Sequence, residues 1–165
     1  MHLVFKNTRI YQSFHPDMNK HDDFSHTNPA ATQLHITDEA EACAAVLFAC
    51  RRADEIDGAR GNAAFRTTLE TRNIFIGYDP LVLIETVTRY FETAGSPAAL
   101  INASIGAIRE QTRLPLFYQC LDVILADGVV TPREDKVVQY LKGKFKVDDE
   151  MVFEAMDVLV VKNLL

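Results

Sequence analysis

Residues 125–135, LADGVVTPRED, carry the signals that decide the fold of this chain. An apolar helix precedes the stretch, and Gly128 suits the left-handed backbone conformation that ends a helix. Thr131 is an N-cap residue, and Pro132 is tolerated after it because its missing N–H has no helical partner there. Glu134 then completes a capping box with Thr131. The stretch therefore predicts a joint between two helices.

Asp127 is the residue that this joint does not explain. A carboxylate at the C-terminal end of a helix opposes the helix dipole, at a cost of roughly 0.3–1 kcal/mol. Asp54 has the same unfavourable place at an earlier joint. We therefore expect something positive beside these acids: a basic side chain, the N-terminus of the next helix, or a cation. The spacing that follows Asp127 lacks the oxygen ligands and the glycine of an EF-hand.

Two more junctions repeat the pattern of a capping residue and a proline, at Asp79–Pro80 and Ser96–Pro97. Periodic apolar residues predict helices around and between them. The other predicted starts are Thr37 and Asn62 as caps, Pro115 as a first residue, and Asp148 or Asp149 as a cap. No segment predicts a convincing central strand. The expected fold class is all-α, a bundle of about seven helices.

The chain contains an internal similarity. Residues 48–69 and residues 122–141 both end an apolar helix on Ala-Asp, turn through a glycine and begin a second helix. This predicts two related helical-hairpin repeats. Residues 1–36 differ: they hold all five histidines, can form a short hairpin around Lys6-Asn7, and are otherwise expected to be an irregular arm. The helical domain is predicted to span residues 37–165.

Composition argues against some classes of function and indicates a cellular location. The net charge of −6 argues against a domain that binds the phosphate backbone of nucleic acids. The three cysteines, an odd number, lie in apolar stretches and fit reduced, buried thiols. The sequence shows no signal peptide and no run of the roughly 20 apolar residues that span a bilayer. We therefore expect a cytoplasmic protein without a transmembrane segment.

The joint also carries a resemblance. ADGVVTPRE between an apolar helix and VVQYLKGKF, with ADEIDG as an upstream counterpart, resembles the tellurite-resistance TerB family over about residues 38–165. The resemblance implies a cytoplasmic all-α domain with two helical repeats, which acts in tellurite and stress response without known catalysis. It also implies an acidic surface that binds divalent metal or partner proteins. The acids it places there are Asp54, Asp57, Asp127 and Glu134. Arg60 and Gly61 depart from the pattern, where an acid is expected.

Three functional hypotheses follow. The first is a non-enzymatic, TerB-like acidic domain whose four joint acids bind a divalent cation or receive a basic partner surface. The cation would be calcium or magnesium rather than zinc, because the donors are carboxylates. The second is a protein–protein adaptor in which these acids are structural and an unknown partner docks on an apolar groove between the two hairpins. The third is a metalloenzyme that uses the arm's histidines and aspartates, although their spacing matches no zinc pattern. Because the helical region lacks a nucleophile with a base, we expect no enzyme.

Overall fold

The structure, a computed structural model, describes residues 34–53, 59–128 and 131–162. These ranges contain seven α-helices, two 3₁₀ segments and no strand, so the all-α prediction is confirmed. The predictions for residues 1–33 lie outside the described residues. In chain order the elements are α1 Glu39–Arg51, α2 Ala59–Thr71, the 3₁₀ segment η1 Asn73–Phe75, α3 Pro80–Ala94, α4 Pro97–Ile105, α5 Glu110–Ile124, the 3₁₀ segment η2 Leu125–Asp127, α6 Pro132–Phe145 and α7 Asp149–Lys162.

Helix α1 lies at the centre of the bundle. Every residue of its segment 42–50 is buried. The segment is apolar on all sides, and a helix of that kind is covered on all sides. It packs against α2, α3, α4 and α5. The Phe48 ring makes edge contacts with Phe65 of α2 and Phe91 of α3, with ring centroids 5.8 and 5.7 Å apart. The small alanines and cysteines around it let the other helices come close.

Helices α6 and α7 complete the bundle on one side. Helix α6 packs against α4 and α5, and α7 packs against α5. Val152 and Met156 of α7 are buried, as the apolar periodicity of this helix predicts. Met151, predicted on the same face, is instead exposed. Lys162 Nζ donates to Asp122 Oδ1 at 2.6 Å and ties the end of α7 to α5.

The three cap-proline junctions are confirmed. The side chain of Asp79 accepts from the N–H of Leu81 at 2.8 Å, and that of Ser96 accepts from the N–H of Ala99 at 3.2 Å. The hydroxyl of Thr131 accepts from the N–H of Glu134 at 3.2 Å. In each case the proline stands at the start of its helix. These local signals therefore set the beginnings of α3, α4 and α6.

The predicted start at Pro115 is wrong. Helix α5 begins at Glu110, and Pro115 lies inside it. The reason is a cap supplied from another helix. The carboxylate of Glu39 in α1 accepts from the backbone N–H of Arg109 at 3.0 Å and from the hydroxyl of Thr112 at 2.8 Å. These bonds hold the first turn of α5. Pro115 removes one later helical hydrogen bond, on an exposed part of the helix.

Two other helix starts also differ from the sequence prediction. Asp38, rather than Thr37, caps α1, because its Oδ1 accepts from the N–H of Glu41 at 2.9 Å. Helix α2 begins at Ala59, before Asn62. The side chain of Asn62 accepts a hydrogen bond from Arg51 Nε instead. The two hairpin repeats stay a prediction, because residues 54–58 of the first joint are outside the described ranges.

Candidate functional site

The α5–α6 joint holds Glu134 in a structural role. Glu134 Oε2 accepts from the N–H of Thr131 at 2.8 Å, while the Thr131 hydroxyl accepts from the N–H of Glu134. This is the predicted capping box. Glu134 is only 7% exposed, and Gly128 has the predicted left-handed conformation, with φ of 79°. The carboxylate thus stabilises the start of α6, whatever else it contacts.

Asp127 lies exposed at the end of η2, and the start of α2 lies nearby. Helix α2 contacts η2, and a Cβ placed on Gly61 would be 3.9 Å from the carbonyl oxygen of Val123. The N-terminal turn of α2 is therefore beside the C-terminal end of α5. The first turn of α2 contains no acidic residue. A helix N-terminus, one of the three kinds of positive partner expected from the sequence, therefore lies close to the joint that holds Asp127.

The predicted cation ligands are described only in part. Asp127 and Glu134 belong to the same joint, whereas Asp54 and Asp57 lie outside the described residues. Within residues 34–53, 59–128 and 131–162, no group of three or more histidine, cysteine, aspartate or glutamate side chains is placed to hold a metal ion. A metal site that uses all four acids therefore stays a prediction.

A second acidic cluster stands at the start of α1, where sequence analysis assigned no function. The hydroxyl of Tyr78 donates to Asp38 Oδ2 at 2.7 Å, and that of Tyr90 donates to Glu41 Oε2 at 2.6 Å. Burial, followed by the bond to Glu41, raises the pKa of Tyr90 to about 12. Burial acts to raise the pKa of Glu39, but hydrogen bonds from Thr112 and Arg109 outweigh it and lower that pKa. The cluster ties α1 to α3 and α5.

Asp38→Asn should make unfolding less sensitive to acid. The N–H of Glu41 lowers the pKa of Asp38 below its ordinary value of 3.8. The ionised carboxylate therefore contributes stability that is complete above pH 3.8 and is lost as the pH falls through the lower, folded-state pKa. Asparagine keeps the cap but does not titrate. Urea midpoints measured from about pH 5 to pH 2 should fall less steeply for Asp38→Asn than for the wild type.

The exposed aspartate Asp157 on α7 provides the control. Asp157→Asn should follow the wild-type pH profile. Equal pH slopes for the wild type and Asp38→Asn would contradict the assigned role of Asp38.

Exposed apolar residues lie in the turn before α3 and in the first turn of α3. We call this surface the apolar turn, and it consists of Ile76, Tyr78, Leu81 and Val82. Ile76 is 76% exposed, Leu81 57% and Val82 59%. This surface was not predicted from the sequence. The available signal was the run of four apolar residues at 81–84, because one face of a helix cannot bury them all.

The apolar turn is held in place on several sides. Phe75, which precedes it, is buried in the core. The hydrogen bond from Tyr78 to Asp38 ties the turn to α1, and the Asp79 cap fixes the first turn of α3. Gly77 has φ of 90°, a conformation that glycine adopts without strain. The exposed apolar side chains are thus presented by an ordered backbone.

A cavity of about 290 Å³ lies beneath the other side of η1. Its apolar walls include Leu47, Ile74, Phe75 and Leu116, and its polar rim includes Arg72 and Gln119. Arg72 is exposed, whereas Leu47, Phe75 and Leu116 are buried, so the arginine marks the opening. The cavity was not predicted from the sequence, because α1, α2, η1 and α5 supply its walls from distant parts of the chain.

The three cysteines are free and buried, as predicted. Burial raises the pKa of Cys43 to about 12. Burial, followed by contact with Cys50, raises that of Cys120. The thiols of Cys43 and Cys120 therefore stay protonated at neutral pH, a state in which cysteine is a poor nucleophile.

The described helices include none that is both long enough and apolar enough to cross a membrane. The TerB resemblance rests on the motif residues quoted above, and it stays a prediction. Comparison of the chain with protein-family models, with curated proteins and with solved structures finds no match.

Proposed function

We propose that this chain is a non-enzymatic, acidic helical binding domain that serves tellurite or chemical-stress tolerance, as its resemblance to TerB implies. The helical class and the capping box at the motif that carries the resemblance support this proposal. The protonated state of Cys43 and Cys120 supports a role without nucleophilic catalysis. Free thiols fit a reducing compartment, so we propose a cytoplasmic location.

The proposed ligand is a protein segment with apolar and basic side chains, which docks on the apolar turn. The observation that carries this proposal is the exposure of Ile76, Leu81 and Val82 on an ordered backbone. Apolar side chains that are already held in place lose little conformational freedom on binding, so their burial contributes efficiently to affinity.

Charge around the apolar turn favours a basic partner. Asp79 and Glu85 are both exposed. Glu85 follows Leu81 by one helical turn and lies on the same side of α3. The whole chain carries a net charge of −6. Lysine or arginine side chains that flank the partner's apolar residues would meet these acids, which speeds association and selects against acidic partners.

Docking on the apolar turn is testable by selecting random displayed peptides against the purified protein. The enriched peptides should combine leucine or phenylalanine with lysine or arginine. Ile76→Asp should lower the affinity for a synthetic copy of a selected peptide by about tenfold or more, because it places a charge in the apolar contact. Salt should also weaken binding, since the rim charges are exposed.

The matched control is Val158→Asp, because Val158 is 67% exposed and lies on α7. This variant should bind the peptide like the wild type. Selection of acidic peptides, or equal affinity for Ile76→Asp and the wild type, would refute the proposed docking surface.

A divalent cation at the joints is the second candidate. The observation in its favour is the contact between α2 and η2, which brings the start of α2 beside the end of α5. The predicted ligands Asp54 and Asp57 directly precede α2 in the sequence, and Asp127 ends η2. The same contact, however, lets the α2 dipole offset Asp127 without a cation. The geometry thus favours structural joint acids and a protein partner.

A further inference from the structure

The cavity beneath η1 has the size and the walls of a small-molecule site. Its volume of about 290 Å³ is roughly twice that of the cavity, about 150 Å³, that suffices for benzene. Leu47 of α1, Ile74 and Phe75 of η1 and Leu116 of α5 give it an apolar interior. Sites for small ligands typically combine such walls with a few polar groups that fix the orientation of the ligand.

The polar groups inside the cavity are already bonded. The Thr68 hydroxyl donates to the carbonyl oxygen of Ala64 at 2.9 Å. The Thr112 hydroxyl donates to Glu39 Oε1 at 2.8 Å. The Cys43 thiol is protonated and buried, and it adds a nearly apolar surface. Among the described residues that line the cavity, none is an aspartate or a glutamate.

Unlike the bonded polar groups inside the cavity, the side chains at its rim offer hydrogen-bond donors. Arg72 Nε donates to Gln119 Oε1 at 3.0 Å. This bond uses one guanidinium N–H of Arg72 and leaves its terminal NH₂ groups and the amide NH₂ of Gln119. These remaining N–H groups have no hydrogen-bond partner among the described residues. The bond also fixes the two side chains beside each other. An apolar interior thus opens on a positively charged group of donors.

We propose that this cavity binds a small monocarboxylate with an apolar body, such as a medium-chain fatty acid. The carboxylate accepts hydrogen bonds from the terminal N–H groups of Arg72 and from the Gln119 amide. The apolar body lies against Leu47, Phe75 and Leu116. The planar guanidinium matches a carboxylate in shape and charge, and a single arginine balances a single negative charge. This site does not depend on the docking of a protein at the apolar turn.

Octanoate is the probe for this proposal, and binding is measured by calorimetry and by the methyl NMR signals of the purified protein. Octanoate at millimolar concentration should shift the methyl signals of Leu47, Ile74 and Leu116. Octanol has the same apolar body without the charge, and acetate has the charge without the body. Both should bind more weakly than octanoate.

Arg72→Gln should lower the affinity for octanoate by about tenfold or more and leave the affinity for octanol unchanged, since only the carboxylate loses its charged partner. Arg66→Gln is the matched control. Arg66 is exposed on the same helix that leads to Arg72, pairs with Glu70 at 2.9 Å and does not line the cavity. It should bind octanoate like the wild type. The proposal is overturned if octanoate does not bind, if its shifts fall outside the cavity, or if Arg72→Gln binds it as tightly as the wild type.

Discussion

Phe117→Ala is expected to lower the free energy of unfolding by about 4 kcal/mol, and the melting temperature by about 12 °C. Phe117 is fully buried in the middle of α5. Helix α5 contacts α1, α2, α6 and α7, so it joins the inner and outer parts of the bundle. Removing the ring loses its burial and leaves a cavity that surrounding helices fill only in part. Urea unfolding and thermal melting both measure the effect.

The control for Phe117→Ala is Val158→Ala, which truncates an exposed apolar residue on α7. Its effect should stay within about 0.5 kcal/mol. A loss of less than about 1 kcal/mol for Phe117→Ala would contradict the close packing of the Phe117 ring between α5 and its neighbouring helices.

Glu134→Ala should cost about 2 kcal/mol, the second largest expected effect, because it removes the charged half of the capping box. The N–H of Thr131 then loses the carboxylate that accepts from it at 2.8 Å. Glu134→Gln should retain most of the stability, since an amide oxygen can accept the same hydrogen bond. The pair of variants separates the loss of the cap from the loss of the charge.

Urea unfolding without added metal is the suitable measurement for both variants of Glu134. Equal losses for Glu134→Ala and Glu134→Gln would indicate that the charge, rather than the hydrogen bond, stabilises the joint. No loss in Glu134→Ala would contradict the structural role of the capping box.

The sequence predicts well those helix starts that depend on neighbouring residues. Asp79, Ser96 and Thr131 each bond to an amide within the next three residues, and the following proline marks the first turn. The end at Gly128 is equally local, because its positive φ favours glycine. Such features need no information about the rest of the fold.

Tertiary contacts decide the features that the sequence does not predict. Helix α5 starts at Glu110 because Glu39 of α1 caps it, and nothing near Pro115 indicates this partner. The central place of α1 has a sequence signal in its uniformly apolar segment 42–50, although that signal does not say which helices surround it. The cap at Asp38 is likewise supported by Tyr78 from a distant turn.

The candidate sites also fall into those set by neighbouring residues and those set by tertiary contacts. Asp127 and Glu134 are recognisable in the sequence because they lie within one short motif at a helix joint. For the apolar turn, the apolar run at 81–84 indicates that some of its residues are exposed, and the burial of Leu83 shows which side of α3 faces the core. The cavity at Arg72 depends on four elements, α1, α2, η1 and α5, that meet in space. The local acids are therefore predictable from the sequence, whereas the apolar turn and the cavity depend on how the helices pack.

We propose that the joint acids are structural and that the chain acts by binding a protein partner. The melting temperatures of the wild type and Asp127→Asn, measured with chelator and then with millimolar calcium or magnesium, test this proposal. If the joint acids are structural, neither metal should change the wild-type melting temperature by more than about 1 °C. A rise of several degrees in the wild type that Asp127→Asn lacks would contradict it and identify the joint as a cation site.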